Sequence, residues 1–135
     1  MLQSIGADYV IDYTQEDFTK KGKCYDLVID VVGNRSALDY KRILKPLGTY
    51  VMVGGSFSRI LQVIFVAPII SKTERKNMNV LIHKPNGKDQ KFLSELFEAG
   101  KLVPVIDKRY SLSEVEEAIR YLGEGNAKGK VVITV

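Results

Sequence analysis

Tyr25-Asp26-Leu27-Val28-Ile29-Asp30-Val31-Val32-Gly33 is the stretch on which the fold of this chain turns. The polar turn Lys21-Gly22-Lys23 leads in, and a short, nearly continuous apolar and β-branched run follows. Such a run predicts a strand over residues 26–32 buried on both faces, as in a parallel sheet. Sheets of that kind take ligands at the carboxyl ends of their strands, where Gly33 falls. The stretch reads as one rung of a nucleotide-binding sheet.

The sequence downstream keeps the same grammar. Ser36 with Asp39 three residues on resembles a capping box, and Tyr40, Ile43, Leu44 and Leu47 follow at helical spacing until Pro46 and Gly48 stop the helix. Residues 49–53 predict a second apolar strand, ending in Gly54-Gly55-Ser56. Residues 60–70 are apolar except for Gln62 and contain Pro68. Eleven residues are too few for a bilayer-spanning helix, which needs about 20. The segment reads as a helix or loop packed on the core or at a subunit interface, with the wall of a hydrophobic pocket as the sharper alternative. Residues 77–82 predict another strand and 83–87 a turn. Asp89 is placed to cap a helix that carries Phe92, Leu93, Leu96 and Phe97 on one face and ends at Gly100.

Residues 103–110 read as extended, with Pro104 suited only to an edge. Ser113-Glu114-Val115-Glu116 reads as a capping box before a helix bearing Val115, Ala118, Ile119 and Leu122, and 130–135 as a closing strand. Upstream, residues 1–5 read as the tail of a helix capped by Gly6. Residues 9–13 read as a short strand, and Thr14 as the cap of a weak helix over 15–20. Strand and helix alternate as in a parallel sheet with crossover helices.

Composition narrows the function classes. The chain has 135 residues, 45% hydrophobic and 27% charged, with a net charge of +4. This is the composition of a globular domain, and no lysine and arginine stripe with interleaved aromatics marks a nucleic-acid partner. One cysteine, Cys24, and one histidine, His83, are too few for a zinc site built within the chain. A single cysteine also allows no intrachain disulfide, consistent with the cytoplasm. His83 reads as a surface residue. Cys24, beside a lysine but with no base or oxyanion site, reads as non-catalytic.

The motifs Ile5-Gly6-Ala7-Asp8-Tyr9-Val10-Ile11-Asp12-Tyr13, Asp30-Val31-Val32-Gly33, Leu44-Lys45-Pro46-Leu47-Gly48-Thr49 and Gly54-Gly55 form a series. Gly100-Lys101-Leu102-Val103-Pro104-Val105-Ile106-Asp107 and Ala127-Lys128-Gly129-Lys130-Val131-Val132-Ile133 continue it. In order and spacing they resemble the carboxy-terminal part of the medium-chain dehydrogenase/reductase superfamily, in its zinc-independent quinone oxidoreductase-like branch. The fold implied is α/β: an incomplete Rossmann-like parallel sheet flanked by helices over residues 1–100. A carboxy-terminal β-α-β segment over 101–135 belongs, in relatives, to the catalytic domain. The family's amino-terminal catalytic domain and its first β-α-β unit, with the glycine-rich turn that holds the cofactor pyrophosphate, have no counterpart in these residues. The chain therefore reads as a fragment.

The resemblance also implies a site. Tyr13 matches a position near the adenosine half of the cofactor. Val31, Val32 and Gly33 match a strand end that passes the nicotinamide ribose, and Val53, Gly54, Gly55 and Ser56 the next strand end. Leu81, between Val80 and Ile82, matches a strand whose backbone meets the carboxamide. Asn126 and Gly129 lie near a polar position that contacts cofactor in some relatives. Simple turn glycines are the plainer reading of Gly33, Gly54 and Gly55. Asp30 has two readings, a ribose ligand or a cap for its neighbouring loop.

The implied cofactor is NADPH, with NADH possible, and the implied substrate a quinone or activated alkene. A homodimer paired through the fourth strand's edge is implied, without nucleic acid or membrane. No catalytic residue is assigned, and the chain alone is expected to bind cofactor weakly or not at all. The rival reading is a non-catalytic folded fragment or oligomerisation module.

Overall fold

The computed structural model describes residues 1–125 and 127–135, so Asn126 lies outside the described residues. The chain forms two compact units, Ile11–Lys84 and a second made of Met1–Val10 with Pro85–Val135. Both units are α/β, each built on a parallel sheet.

In the unit Ile11–Lys84 the order is β1 (Tyr25–Asp30), α1 (Ala37–Arg42), β2 (Leu44–Met52), α2 (Phe57–Glu74) and β3 (Asn77–Val80). The strands pair in parallel in the order β1-β2-β3, with Val28 opposite Tyr50 and Tyr50 opposite Met78. Successive strand residues point to opposite faces. Tyr50, Met52 and Met78 are buried in one cluster with Tyr40 and Ile43 from the α1 region and Val63 and Ile70 from α2. Val28 packs against that cluster.

The opposite face corrects the expectation of two-sided burial. Leu27 is 56% and Ile29 61% exposed, because both helices of the unit pack on the face of Tyr50 and Met52. The apolar run forms a strand as expected, but only half of it is covered.

Two further expectations fail for local reasons. Residues 9–13 join neither sheet. A lone extended segment has no neighbouring strand to satisfy its backbone, and a turn wins. The Asp12 carboxylate accepts from the Thr14 amide and hydroxyl, while the amides of Gln15 and Glu16 donate to the Asp12 carbonyl. The helix expected over 15–20 contracts to a 3₁₀ turn, Phe18–Lys20, capped by Asp17 rather than Thr14.

Helix α1 has the capping box of Ser36 and Asp39, but it ends at Arg42. Leu44 and Leu47 are therefore not on a helix. Leu44 opens β2 opposite Tyr25, and residues 45–48 bulge before the ladder resumes at Thr49. Leu47 takes a positive φ and is exposed.

In helix α2, Gln62 proves to be a tie. Its side-chain oxygen accepts from the Ala37 amide at the start of α1 and from Arg59. No helix of the described residues is long and apolar enough to cross a membrane.

The second unit comprises α3 (Gly87–Glu98), β4 (Ile106–Ser111), α4 (Val115–Gly123) and β5 (Lys130–Thr134). Strands β4 and β5 pair in parallel across α4, so the expected β-α-β segment is present. Its caps differ from expectation by a few residues. Asn86, not Asp89, caps α3, accepting from the Asp89 amide at 2.9 Å. The box before α4 is Ser111 with Glu114, not Ser113 with Glu116. The Asp107 carboxylate accepts from the Tyr121 hydroxyl and the Lys128 amide, holding the approach to β5.

Candidate functional site at the strand ends

The carboxyl ends of β1, β2 and β3 carry most of the residues singled out in the sequence. Val31 and Val32 follow β1 and are 66% and 70% exposed, whereas Gly33 is buried. Val53, Gly54, Gly55 and Ser56 follow β2 and lead into α2, whose N-cap is Ser56. Leu81 follows β3, and its amide donates to the Met52 carbonyl at 2.8 Å. The Val53 amide donates to the Asp30 carbonyl at the same distance, so the ladder runs one residue past the ends of β2 and β3.

The two glycine turns are in contact. Gly33 has φ +68°, and a methyl group there would stand 2.8 Å from the Gly54 oxygen and 2.9 Å from the Gly55 Cα. At Gly54 it would stand 2.5 Å from the Val31 oxygen. Gly33 and Gly54 are required by the close approach of two backbones, a constraint not read from the sequence.

Beneath the turns lies a carboxylate that sequence reasoning weighed but did not place. Asp30 is 7% exposed. One of its oxygens accepts from the Gly33 amide at 2.8 Å and the Val32 amide at 3.2 Å. The other accepts from the Tyr50 hydroxyl at 2.9 Å. Asp30 thus caps its own loop, the plainer of its two readings.

The Tyr50 ring lies against Tyr40, with centroids 4.6 Å apart. Burial first, then the hydrogen bond and charge of Asp30, pushes both phenols well above the ordinary tyrosine range. Neither tyrosine was singled out as a site residue. The available signal was inward alternation on the second strand, which places Tyr50 on the same face as Asp30.

Tyr13 stands apart from this group. It is exposed in the turn after Asp12 and shares no hydrogen bond or ring contact with the strand-end residues among those described. Gly129 immediately precedes β5, a methyl group there would stand 2.5 Å from the Val105 oxygen, and it belongs to the second unit.

A cleft of about 530 Å³ opens beside the strand ends, between the tips of β2 and β3 and helix α2. Val53, Gly54 and Leu81 line one side, Ile60 and Ile64 the other, and Met52 lies among them. No charged side chain lines it.

The sequence from residue 5 to 133 matches the family model described as zinc-binding dehydrogenase. The chain belongs to that family. It is thereby a member of the medium-chain dehydrogenase/reductase superfamily, and its relatives include quinone oxidoreductases, an alkenal/one oxidoreductase and alcohol dehydrogenases. It is 34% identical over 137 residues to the chloroplastic quinone-oxidoreductase QR1 of Triphysaria versicolor, covering 98% of this chain and 41% of that protein. It is 33% identical over 135 residues to the 2-methylene-furan-3-one reductase of Solanum lycopersicum, covering 98% and 30%. Among solved structures, the quinone oxidoreductase from Coxiella burnetii superposes with a TM-score of 0.75 at 28% identity, covering 99% of this chain and 41% of that one. The chain spans about two fifths or less of the length of these relatives.

The family's description carries zinc. Among the described residues no group of three or more His, Cys, Asp or Glu could hold a metal ion, so the donor set here does not fit one.

Proposed function

We propose that this chain forms one wall of the cofactor site of an NAD(P)H-dependent oxidoreductase, of the quinone or activated-alkene reductase type. The observation that carries the reading is the meeting of Val31–Val32–Gly33 with Val53–Gly54–Gly55 at the carboxyl ends of adjacent parallel strands, beside an apolar cleft. Ligands of open parallel sheets lie at such ends. NADPH is the proposed cofactor, with NADH as the alternative. When bound, it supplies the hydride.

The chain's own part is positioning. Val32, Val53 and Leu81 present apolar side chains where a flat ring can rest, with Ser56 at the head of α2. The cleft suits the uncharged body of a quinone or enone. No side chain in it can donate or take a proton, so the chain's contribution is orientation and exclusion of water. Residues 101–135 are proposed to belong, in the longer relatives, to the catalytic domain. The assembly proposed is a cytoplasmic homodimer paired through the free edge of β3.

Titration of the isotopically labelled full chain with NADPH, followed by amide resonances, tests the wall. Weak binding that moves Val32, Gly33, Gly54 and Leu81 is expected. Shifts confined to other residues would overturn the assignment, and quinone turnover by the chain alone would overturn the view that it carries no catalytic group.

A second reading, a folded module without cofactor, draws on the exposed apolar face of β1. It predicts no NADPH-dependent shifts at all, with normal folding.

A further inference from the structure

We infer that Asp30 is the positioning residue of this wall: its buried carboxylate, not the packing of the turns alone, fixes the backbone of Val32 and Gly33 against Gly54 and Gly55. The inference rests on the reading of the strand ends as a cofactor wall, but its structural half can be decided without cofactor.

Three observations point to it. The turn that follows β1 has left the ladder, so its amides have no strand to bond. Both the Val32 and the Gly33 amide donate to a single oxygen of Asp30. A carboxylate oxygen that accepts two amides holds them more strongly than neutral acceptors do. Second, that carboxylate is itself held. Tyr50, opposite Val28 in the ladder and 1% exposed, donates to its other oxygen. Asp30 cannot swing away without breaking all three bonds in a buried setting. Third, the turn has no slack on its far side. A methyl group at Gly33 would stand 2.8 Å from the Gly54 oxygen and 2.9 Å from the Gly55 Cα, and one at Gly54 would stand 2.5 Å from the Val31 oxygen. A shift of the Gly33 backbone is passed directly to the β2 end.

The groups that face the carboxylate are few. Tyr50 comes from β2 and Tyr40 from α1. Arg35, in the loop before α1, acts through its charge on the Tyr40 phenol, and Arg59, on α2, on both phenols. Both arginines are engaged elsewhere, Arg35 with Asp17 at 3.7 Å and Arg59 with Gln62. The two amides and the Tyr50 phenol hold the carboxylate, and the Tyr40 phenol also bears on it.

Positioning and packing predict opposite orders for two substitutions. Asp30→Leu is similar in size and apolar, and a buried site that needs only filling accepts it at least as well as a polar residue. Asp30→Asn keeps an acceptor oxygen for the two amides and can donate to the Tyr50 oxygen. In the full chain, amide exchange at Val32 and Gly33 is expected to accelerate by about tenfold or more in Asp30→Leu, beyond any change shared by the β1 and β2 amides. Asp30→Asn should restore most of the protection. Equal protection in the two variants, or better protection in Asp30→Leu, would overturn the inference.

Should Asp30→Leu fail to fold, Tyr50→Phe decides the point: it releases the other oxygen of Asp30, and amide exchange at Val32 and Gly33 is expected to accelerate beyond that of the other β1 and β2 amides. Unchanged exchange at those two amides would overturn the proposal. Titration with NADPH adds the functional arm: the shifts it induces at Gly54 and Leu81 should weaken in Asp30→Leu and recover in Asp30→Asn. If NADPH moves nothing in the wild-type chain, the cofactor-wall reading falls while the exchange results still decide the role of Asp30.

Discussion

Gly54 shows how little room separates the two strand ends. A methyl group there meets the Val31 oxygen at 2.5 Å, and that oxygen belongs to a backbone fixed by its neighbours. Gly54→Ala is expected to cost about 1–3 kcal/mol, the usual penalty for overpacking, read as a lowered midpoint in denaturant. Tyr50 carries a different signature. Its phenol and that of Tyr40 have pKa values raised in the folded state above the ordinary value of 10.0. A raised folded value means stability that is complete below the unfolded value and lost as pH rises through the folded one. The chain should therefore lose stability in alkali, and Tyr50→Phe should flatten that decline while lowering neutral-pH stability by about 1–2 kcal/mol. Unfolding midpoints measured across the alkaline range check both. At this scale Gly33 was legible, since a glycine at a strand end has few uses. The partner of Asp30 was not, because Tyr50 lies twenty residues away and only strand register brings them together.

Among the elements, the capping box of α1 was legible because all its parts are local. The Ser36 hydroxyl accepts from the Asp39 amide at 3.2 Å, and the Asp39 carboxylate accepts from the Ser36 amide. Ser36→Ala should cost about 1 kcal/mol in unfolding experiments. The helix end was not legible. Leu44 and Leu47 fit the helical period, but Leu44 pairs with Tyr25 across the sheet, and Pro46 cannot continue a helix. Long-range pairing overrode a local pattern. The strand expected at residues 9–13 failed for the converse reason: its local pattern was good, but it had nothing to pair with. Misplaced caps such as Asp89 for Asn86 have a smaller cause, since several residues in the same turn can serve.

For the whole molecule, the two compact units differ in what they bury. The unit Ile11–Lys84 has a continuous core of Tyr40, Ile43, Tyr50, Met52, Val63 and Met78, whereas among the described residues of the other only Tyr110 and Ala118 are buried hydrophobic side chains. Amide exchange should accordingly be slower in β1 and β2 than in β4 and β5, because protection follows buried apolar contact. Equal protection in the two sheets would contradict that ordering. The α/β class and the family were legible from the order of strands and glycines. The one-sided burial was not, because an apolar run shows that a strand can be covered on both faces and not what covers it.

That uncovered face has a consequence in the cell. Leu27, Ile29 and Val31 display a short extended apolar ribbon on the folded surface, the kind of segment that protein quality control surveys on unfinished chains. Chaperones and proteases compete for such a ribbon with any surface that hides it. The abundance of this protein would then depend less on its own unfolding free energy than on how much of the time that face is occupied.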